Sequence, residues 1–409
     1  CGYSIQHLAP CFCSFVRRRQ SARAKSIYSD TMTVTRQIIN YDSAQLFDVP
    51  KDVIYLNTAG LAPRLHSVTR AAEEGLYASA RPWEAGADDW IVQTEQLRAL
   101  AAELLNTSVD ALAFTPSVSY AMAVAARNCP VHAGQNLIVL DAEYPSNRGI
   151  WQQQAEACGA HMRHAVREAG QDWTSAVLAQ MDASTAVLSI PHCHWADGSL
   201  LNLEQIAAEA HRLGAALVID ASQSIGVMAL DLETIAPDFV VVPGHKWLLG
   251  AYGLGWLWAA PKHCERGEPI EQTVLAREAS CDFASMGRTL PAYRSGARRF
   301  DFGPFPHPLS VPMSMAALQQ MQAWGISHIE KRLNELSTHF RDALVAKGLG
   351  QGLSAEPVAP HVIAWRPEDQ CSPERLSAAL RGQGIFAVPR GGALRFSPHL
   401  HISELALDR

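Results

Sequence analysis

From residue 55 onward, short apolar runs alternate with stretches whose apolar positions recur at helical spacing. The spacing predicts helices over 68–80 and 89–105, the second carrying its apolar stripe at Leu97, Leu100, Ala101 and Leu104. Asn136-Leu-Ile-Val-Leu140 reads as a buried strand and is followed by a helix over about 148–158. Thr185-Ala-Val-Leu-Ser-Ile190 is the next strand, and a helix over 203–213 closes at Gly214. Three more apolar runs follow at 216–220, 239–242 and 255–258. Strands that are apolar throughout and separated by helices predict a mostly parallel sheet covered on both faces. Ligands of such sheets sit at the carboxyl ends of the strands, where Asp220 and Gly244-His-Lys246 fall.

Beyond Pro304-Phe-Pro-His-Pro308 the pattern changes. A helix-rich section over 312–349 leads to a strand at 361–365, a helix at 373–381 and short strands at 385–388 and 393–397. The expected fold is therefore α/β: a large domain over 59–305 and a small C-terminal α+β domain over 306–409. An N-terminal segment, 32–58, is expected to pack with the small domain. Residues 1–31 hold several Ser and five Arg or Lys but no Glu, and no Asp before Asp30. They are expected to be a disordered or extraneous extension, with an organelle-targeting segment as the alternative. At the other end the chain stops part-way into what reads as a last helix, as a truncated chain would.

Composition narrows the partners. A net charge of −6 without clustered Lys and Arg argues against nucleic acid, because counterion release needs a basic surface. The absence of a long uncharged apolar run argues against a membrane span. The nine Cys show no paired zinc-type spacing, so no metal site is expected and the thiols read as those of a reduced, cytoplasmic protein.

The chemistry concentrates between Val218 and Trp258: Val-Ile-Asp-Ala-Ser-Gln-Ser at 218–224, Pro-Gly-His-Lys-Trp at 243–247 and Gly-Ala-Tyr-Gly-Leu-Gly at 250–255. A pyridoxal enzyme needs a Lys for the Schiff base, a carboxylate for the pyridine nitrogen and donors for the phosphate. Asp220 ends a buried strand, where a carboxylate is costly unless it meets a cation. Lys246 lies among Gly and aromatic residues that favour a neutral, nucleophilic amine. Phe114-Thr-Pro-Ser-Val-Ser119 reads as a strand-to-helix turn, with free N–H groups and the hydroxyls of Ser117 and Ser119. Arg395 carries a guanidinium fork that matches a carboxylate.

In combination these motifs resemble the class V aminotransferase superfamily over about residues 53–400, the group that includes cysteine desulfurases, kynureninase and isopenicillin N epimerase. The resemblance implies the PLP-transferase fold type I and pyridoxal 5′-phosphate as cofactor. It implies Lys246 as Schiff base and proton carrier and Asp220 at the pyridine nitrogen. It places Gln223 near the 3-hydroxyl, Tyr144 over the ring, and Ser117, Val118, Ser119 and His245 around the phosphate. Arg395 becomes the clamp for the substrate α-carboxylate, with Asn57 and Gly60 on the segment that closes over the site. A homodimer is also implied, with Arg298-Arg-Phe-Asp-Phe-Gly303 approaching the neighbour's site.

Three departures qualify it. No Cys occupies Val388-Pro-Arg-Gly-Gly-Ala393, where desulfurases carry their nucleophile. Gly303-Pro304 replaces a Gly-Thr whose hydroxyl reaches a neighbouring subunit's phosphate. His194-Trp-Ala-Asp-Gly198 replaces a Ser-Asn pair, so Trp195 is expected to stack or shape the pocket. His194 and Asp197 are then either acid–base groups or partners in a hydrogen-bonded turn. The expected activity is an amino-acid transformation of the aminotransferase type. The alternatives are carbon–sulfur or carbon–carbon cleavage, Cα epimerisation with His194 as second base, and non-catalytic cofactor binding.

Overall fold

The computed structural model describes residues 41–409 apart from 169, 279–289, 356 and 368–370. The expectations for residues 1–31, and for 32–40 of the N-terminal segment, fall outside these residues.

Twelve strands are formed in chain order: β1 (Ile54–Tyr55), β2 (Leu112–Thr115), β3 (Asn136–Leu140), β4 (His161–Ala165), β5 (Thr185–Pro191), β6 (Ala216–Asp220), β7 (Phe239–Pro243), β8 (Gly255–Ala259), β9 (Ile363–Trp365), β10 (Ile385–Phe386), β11 (Val388–Arg390) and β12 (Ala393–Phe396). Seven build the main sheet in the order β2-β8-β7-β6-β5-β3-β4. Within it β8 runs antiparallel to both neighbours, while β7, β6, β5, β3 and β4 are mutually parallel. This is the α/β class expected, with β8 as the exception to the parallel pattern. Successive side chains point to opposite faces, so each central strand feeds two cores. Ile138, Leu140, Leu217, Ile219 and Val240 join the larger cluster, whereas Leu137, Val139, Val218, Phe239 and Val241 join the other. Helices Val118–Asn128 and Pro145–Cys158 pack on the second face, and helix Leu203–Leu213 on the first.

The edge strand β2 is pinned by a buried ion pair. Arg98 donates to both Asp301 oxygens at 3.1 and 2.8 Å and to the Leu112 carbonyl at 2.7 Å, and Asp301 accepts the Phe114 N–H at 2.8 Å. Removing one partner of such a pair strands a buried charge, which typically costs about 3–5 kcal/mol. The contact fixes the turn that follows β2.

The helix-rich section breaks at Gly325 into helices Ser310–Trp324 and Ile326–Ala346. The strand expected at 385–388 is divided. β10 pairs in parallel with β1, and β11 pairs with β12, which also pairs with β9. Among the described residues no helix is long and apolar enough to cross a membrane.

Candidate active site

The carboxyl ends of β2, β3, β5, β6 and β7 deliver the side chains of one cleft and the pocket at its base. The cleft holds about 1020 Å³ of empty space, part of it open to solvent. Lys246 lies just after β7. Gly244, two residues before it, must be glycine, because a Cβ there would stand 2.5 Å from the Leu254 carbonyl oxygen. Burial pushes the Lys246 ammonium below the usual lysine value; Asp220 opposes this and Arg395 adds to it. Its Nζ lies 5.6 Å from the centroid of the Tyr144 ring. Desolvation and the nearby guanidinium favour the amine over the ammonium, as a nucleophilic lysine requires.

Asp220, buried at the end of β6, shares the inner pocket with Lys246 and accepts the Ser222 N–H at 2.9 Å. Gln223 borders both spaces, yet its amide is committed: it donates to the Ala59 carbonyl at 3.1 Å and accepts from the Trp247 indole at 2.8 Å. It therefore ties the N-terminal segment to the Lys246 loop.

Ser117 caps helix Val118–Asn128, accepting the Tyr120 N–H at 3.1 Å, and its hydroxyl lies 3.0 Å from that of Ser119. The cap, Val118 and Ser119 face the cleft together with His245. Burial, then the charges of Lys246 and Arg64, push the His245 imidazole down to about 4, so it is neutral near pH 7. Tyr252, whose ring centroid is 4.5 Å from that of His245, extends this wall. A helix N-terminus with two hydroxyls and a neutral imidazole is a donor set for a phosphate.

Across the cleft stands Arg395 of β12, 2% exposed. It donates to the Trp195 carbonyl at 2.6 Å and to Asn57 Oδ1 at 3.1 Å, while its buried Nε has no partner. Among the described residues no carboxylate pairs with it. Burial, aided by the Arg390 charge, lowers it to about 10. Gly60 borders the cleft; Asn57 acts through Arg395.

The loop after β5 surrounds His194 with partners. His194 Nδ1 meets Asp197 Oδ1 at 2.8 Å, and Nε2 meets the Ala142 carbonyl at 3.3 Å. Asp197 is held by Arg167 at 2.7 Å and kept below the usual carboxylate range: burial opposes this, but the His194 bond and charge outweigh it, with Arg167 adding to them. Both ring nitrogens of His194 thus have partners in a hydrogen-bonded turn, and His194 does not line the cleft. Trp195 does face the cleft, donating to the Ala142 carbonyl at 2.8 Å and meeting Tyr144 edge-on at 5.6 Å.

Sequence reasoning assigned no role to several lining residues, three of them able to carry charge. Glu143 and Cys193 border the inner pocket, and Arg390 borders the cleft. The Cys193 thiol is buried and pushed well above its ordinary value by that burial and by Asp197, so it is not a thiolate. The described residues Cys129, Cys158, Cys193, Cys264 and Cys371 are free, and only Cys371 is exposed.

Desolvated lysine, buried aspartate, phosphate-type donors and an unpaired guanidinium make a donor set that fits pyridoxal phosphate. Comparison with known proteins points the same way. The aminotransferase class V family model matches residues 54–392. An uncharacterised aminotransferase, YcbU of Bacillus subtilis, is 25% identical over 76% of this chain and 80% of its own. Isopenicillin N epimerase of Streptomyces clavuligerus is 26% identical over 77% of this chain and 82% of its own. Among solved structures, the apo cysteine desulfurase of Thermococcus onnurineus shares the fold with a TM-score of 0.79, at 18% identity over 91% of this chain and 96% of its own. The chain thus belongs to the class V aminotransferases and is a pyridoxal-phosphate-dependent enzyme of fold type I.

Proposed function

We propose that the protein transforms an amino acid at Cα, with Lys246 holding the cofactor as a Schiff base and Arg395 clamping the α-carboxylate. The observation that carries this reading is a buried guanidinium without a counter-ion, facing the same cleft as a desolvated lysine. A charge so placed calls for an anionic ligand. When bound, pyridoxal phosphate supplies the electron sink that makes the Cα–H bond acidic. Asp220 holds the charge that keeps the pyridine nitrogen protonated. Ser117, Val118, Ser119 and His245 would hold the phosphate, Gln223 the side of the 3-hydroxyl, and Tyr144 and Trp195 the ring. The Lys246 Nζ would also be the group that carries the proton to and from Cα.

Engagement of both His194 nitrogens supports one-base chemistry at Lys246, hence transamination first and elimination second. Epimerisation, the activity in the names of two relatives, would need a second base, and His194 does not line the cleft. The desulfurases among the relatives suggest a lyase, but the loop 388–393 holds no Cys.

We further infer a homodimer, as the likeness to the class V family suggests. The division into domains 59–305 and 306–409 is kept as our reading, and free thiols support a cytoplasmic setting.

The test is borohydride reduction of the holoenzyme followed by peptide mass analysis. Cofactor mass on the Lys246 peptide is expected, and its appearance on another lysine would overturn the assignment. A screen of amino acids then separates the reactions. Accumulation of pyridoxamine phosphate marks transamination, and release of keto acid with ammonia marks elimination.

A further inference from the structure

We propose that the preferred substrate carries a second anion on its side chain, most simply a carboxylate, and that Arg390 binds it. This rests on the reading of Arg395 as the α-carboxylate clamp.

The cleft is lined by Lys246, Arg390 and Arg395 and, among the described residues, by no Asp or Glu. Arg390 ends β11. Its guanidinium donates to the neighbouring Pro389 carbonyl at 2.8 Å, and among the described residues no carboxylate pairs with it. The β11–β12 hairpin turns through Gly391 and Gly392, with φ of 55° and 75°, values that glycine adopts without strain. Its register sets Arg390 opposite Ala393 and Val388 opposite Arg395. Arg390 and Arg395 thus lie on one face of the hairpin, a diagonal step apart. Like charges so placed repel, and the Arg390 charge helps to lower Arg395.

The charges can be followed through the catalytic cycle. The phosphate has its own donors at the helix cap and His245. Lys246 would serve the cofactor and the proton at Cα, and the substrate α-carboxylate would satisfy Arg395. Arg390 is then left with no anion unless the substrate brings one. A neutral side chain would leave it half-buried and unpaired, whereas a carboxylate would accept its two N–H groups in a fork.

The test uses unreactive ligands and the holoenzyme. Binding of glutarate and succinate is compared by calorimetry with that of butyrate, which has one carboxylate. At least one dicarboxylate should bind about tenfold or more tightly than butyrate, the size of a charge-assisted contact. In Arg390→Gln that ratio should fall to about one, and Arg390→Lys, which keeps a point charge, should hold an intermediate ratio. A wild-type ratio of one for both dicarboxylates, or a preference that survives Arg390→Gln, overturns the inference. Failure of the clamp reading looks different: Arg395→Gln would then leave butyrate binding unaltered.

Discussion

Glu143 and Asp220 close on one inner pocket, and burial, reinforced by the Asp220 charge, pushes the Glu143 carboxyl up to about 8. One Glu143 oxygen accepts the Tyr144 N–H at 2.8 Å; the other is buried without a partner. A carboxyl raised by folding holds a proton that the unfolded chain has released. Stability of the apoprotein should therefore fall as pH rises from the ordinary 4.5 to about 8, by up to about 1.4 kcal/mol per unit, and then level. Glu143→Gln keeps the neutral form at every pH. Urea denaturation of both proteins across this range should show the wild type losing ground to the variant as pH rises, and parallel curves would refute the assignment.

Ser117 caps its helix and, in the function proposed, also binds the phosphate, and two measurements read these effects separately. Ser117→Ala deletes the cap bond to Tyr120 and should cost about 1 kcal/mol in apoprotein stability. If the hydroxyl binds the phosphate as proposed, cofactor affinity should also fall roughly tenfold. Ser117→Thr restores the cap and should recover both. Thermal melts of the apoprotein and a fluorescence titration with pyridoxal phosphate read the two effects. Unchanged cofactor affinity in Ser117→Ala would remove the hydroxyl from the phosphate site.

What was legible in the sequence follows from where each residue's environment comes from. β3, β5, β6 and β7 are buried on both faces, so their apolar runs stand out locally. β4 is an edge strand whose one buried residue is Ala165, so His161-Met-Arg-His carried no apolar signal. The run at 385–388 read as a single strand, because nothing local tells that its two halves choose different partners. Asp220 and Lys246 were readable from their motifs beside strands. Glu143 and Arg390 were not: their importance lies in burial and in the lack of a counter-charge, which only tertiary structure creates. The motif at 194–198 was equally ambiguous, since the bond that occupies His194 Nε2 comes from Ala142, 52 residues away.

The Asp197 pair offers a structural test of that turn. Asp197 joins His194 and Arg167, and it also accepts the Ser199 N–H at 3.0 Å. Its carboxyl is depressed, so the stability it contributes is present above the usual value of 3.8 and is lost as pH falls below it. Asp197→Asn should cost about 3 kcal/mol at neutral pH, because it leaves a half-buried Arg167 without its charge partner. The deficit should shrink as acid protonates the wild type. Denaturation at pH values on either side of that carboxyl range measures both effects, and a deficit independent of pH would mean that the charge on Asp197 is not what holds the turn.

Gly198 couples the same turn to the Arg395 sheet. Its φ is 76°, and a Cβ there would stand 2.5 Å from the Val362 carbonyl oxygen and 3.0 Å from the Val362 Cβ. Its own carbonyl accepts the Ala359 N–H at 2.7 Å, and β9, one residue beyond Val362, pairs with the strand that carries Arg395. Gly198→Ala should therefore cost at least about 2 kcal/mol, combining left-handed backbone strain with a clash against backbone that cannot yield. Gly134→Ala is the matched control, with a φ of 82° and no atom within 4 Å of the added methyl. It should lose only the strain, about 1 kcal/mol. Because the clash pushes on β9, Gly198→Ala should also weaken carboxylate binding, whereas Gly134→Ala should not. Equal losses in the two variants, with carboxylate affinity untouched in both, would show that the turn yields and that its packing against Val362 does not position Arg395.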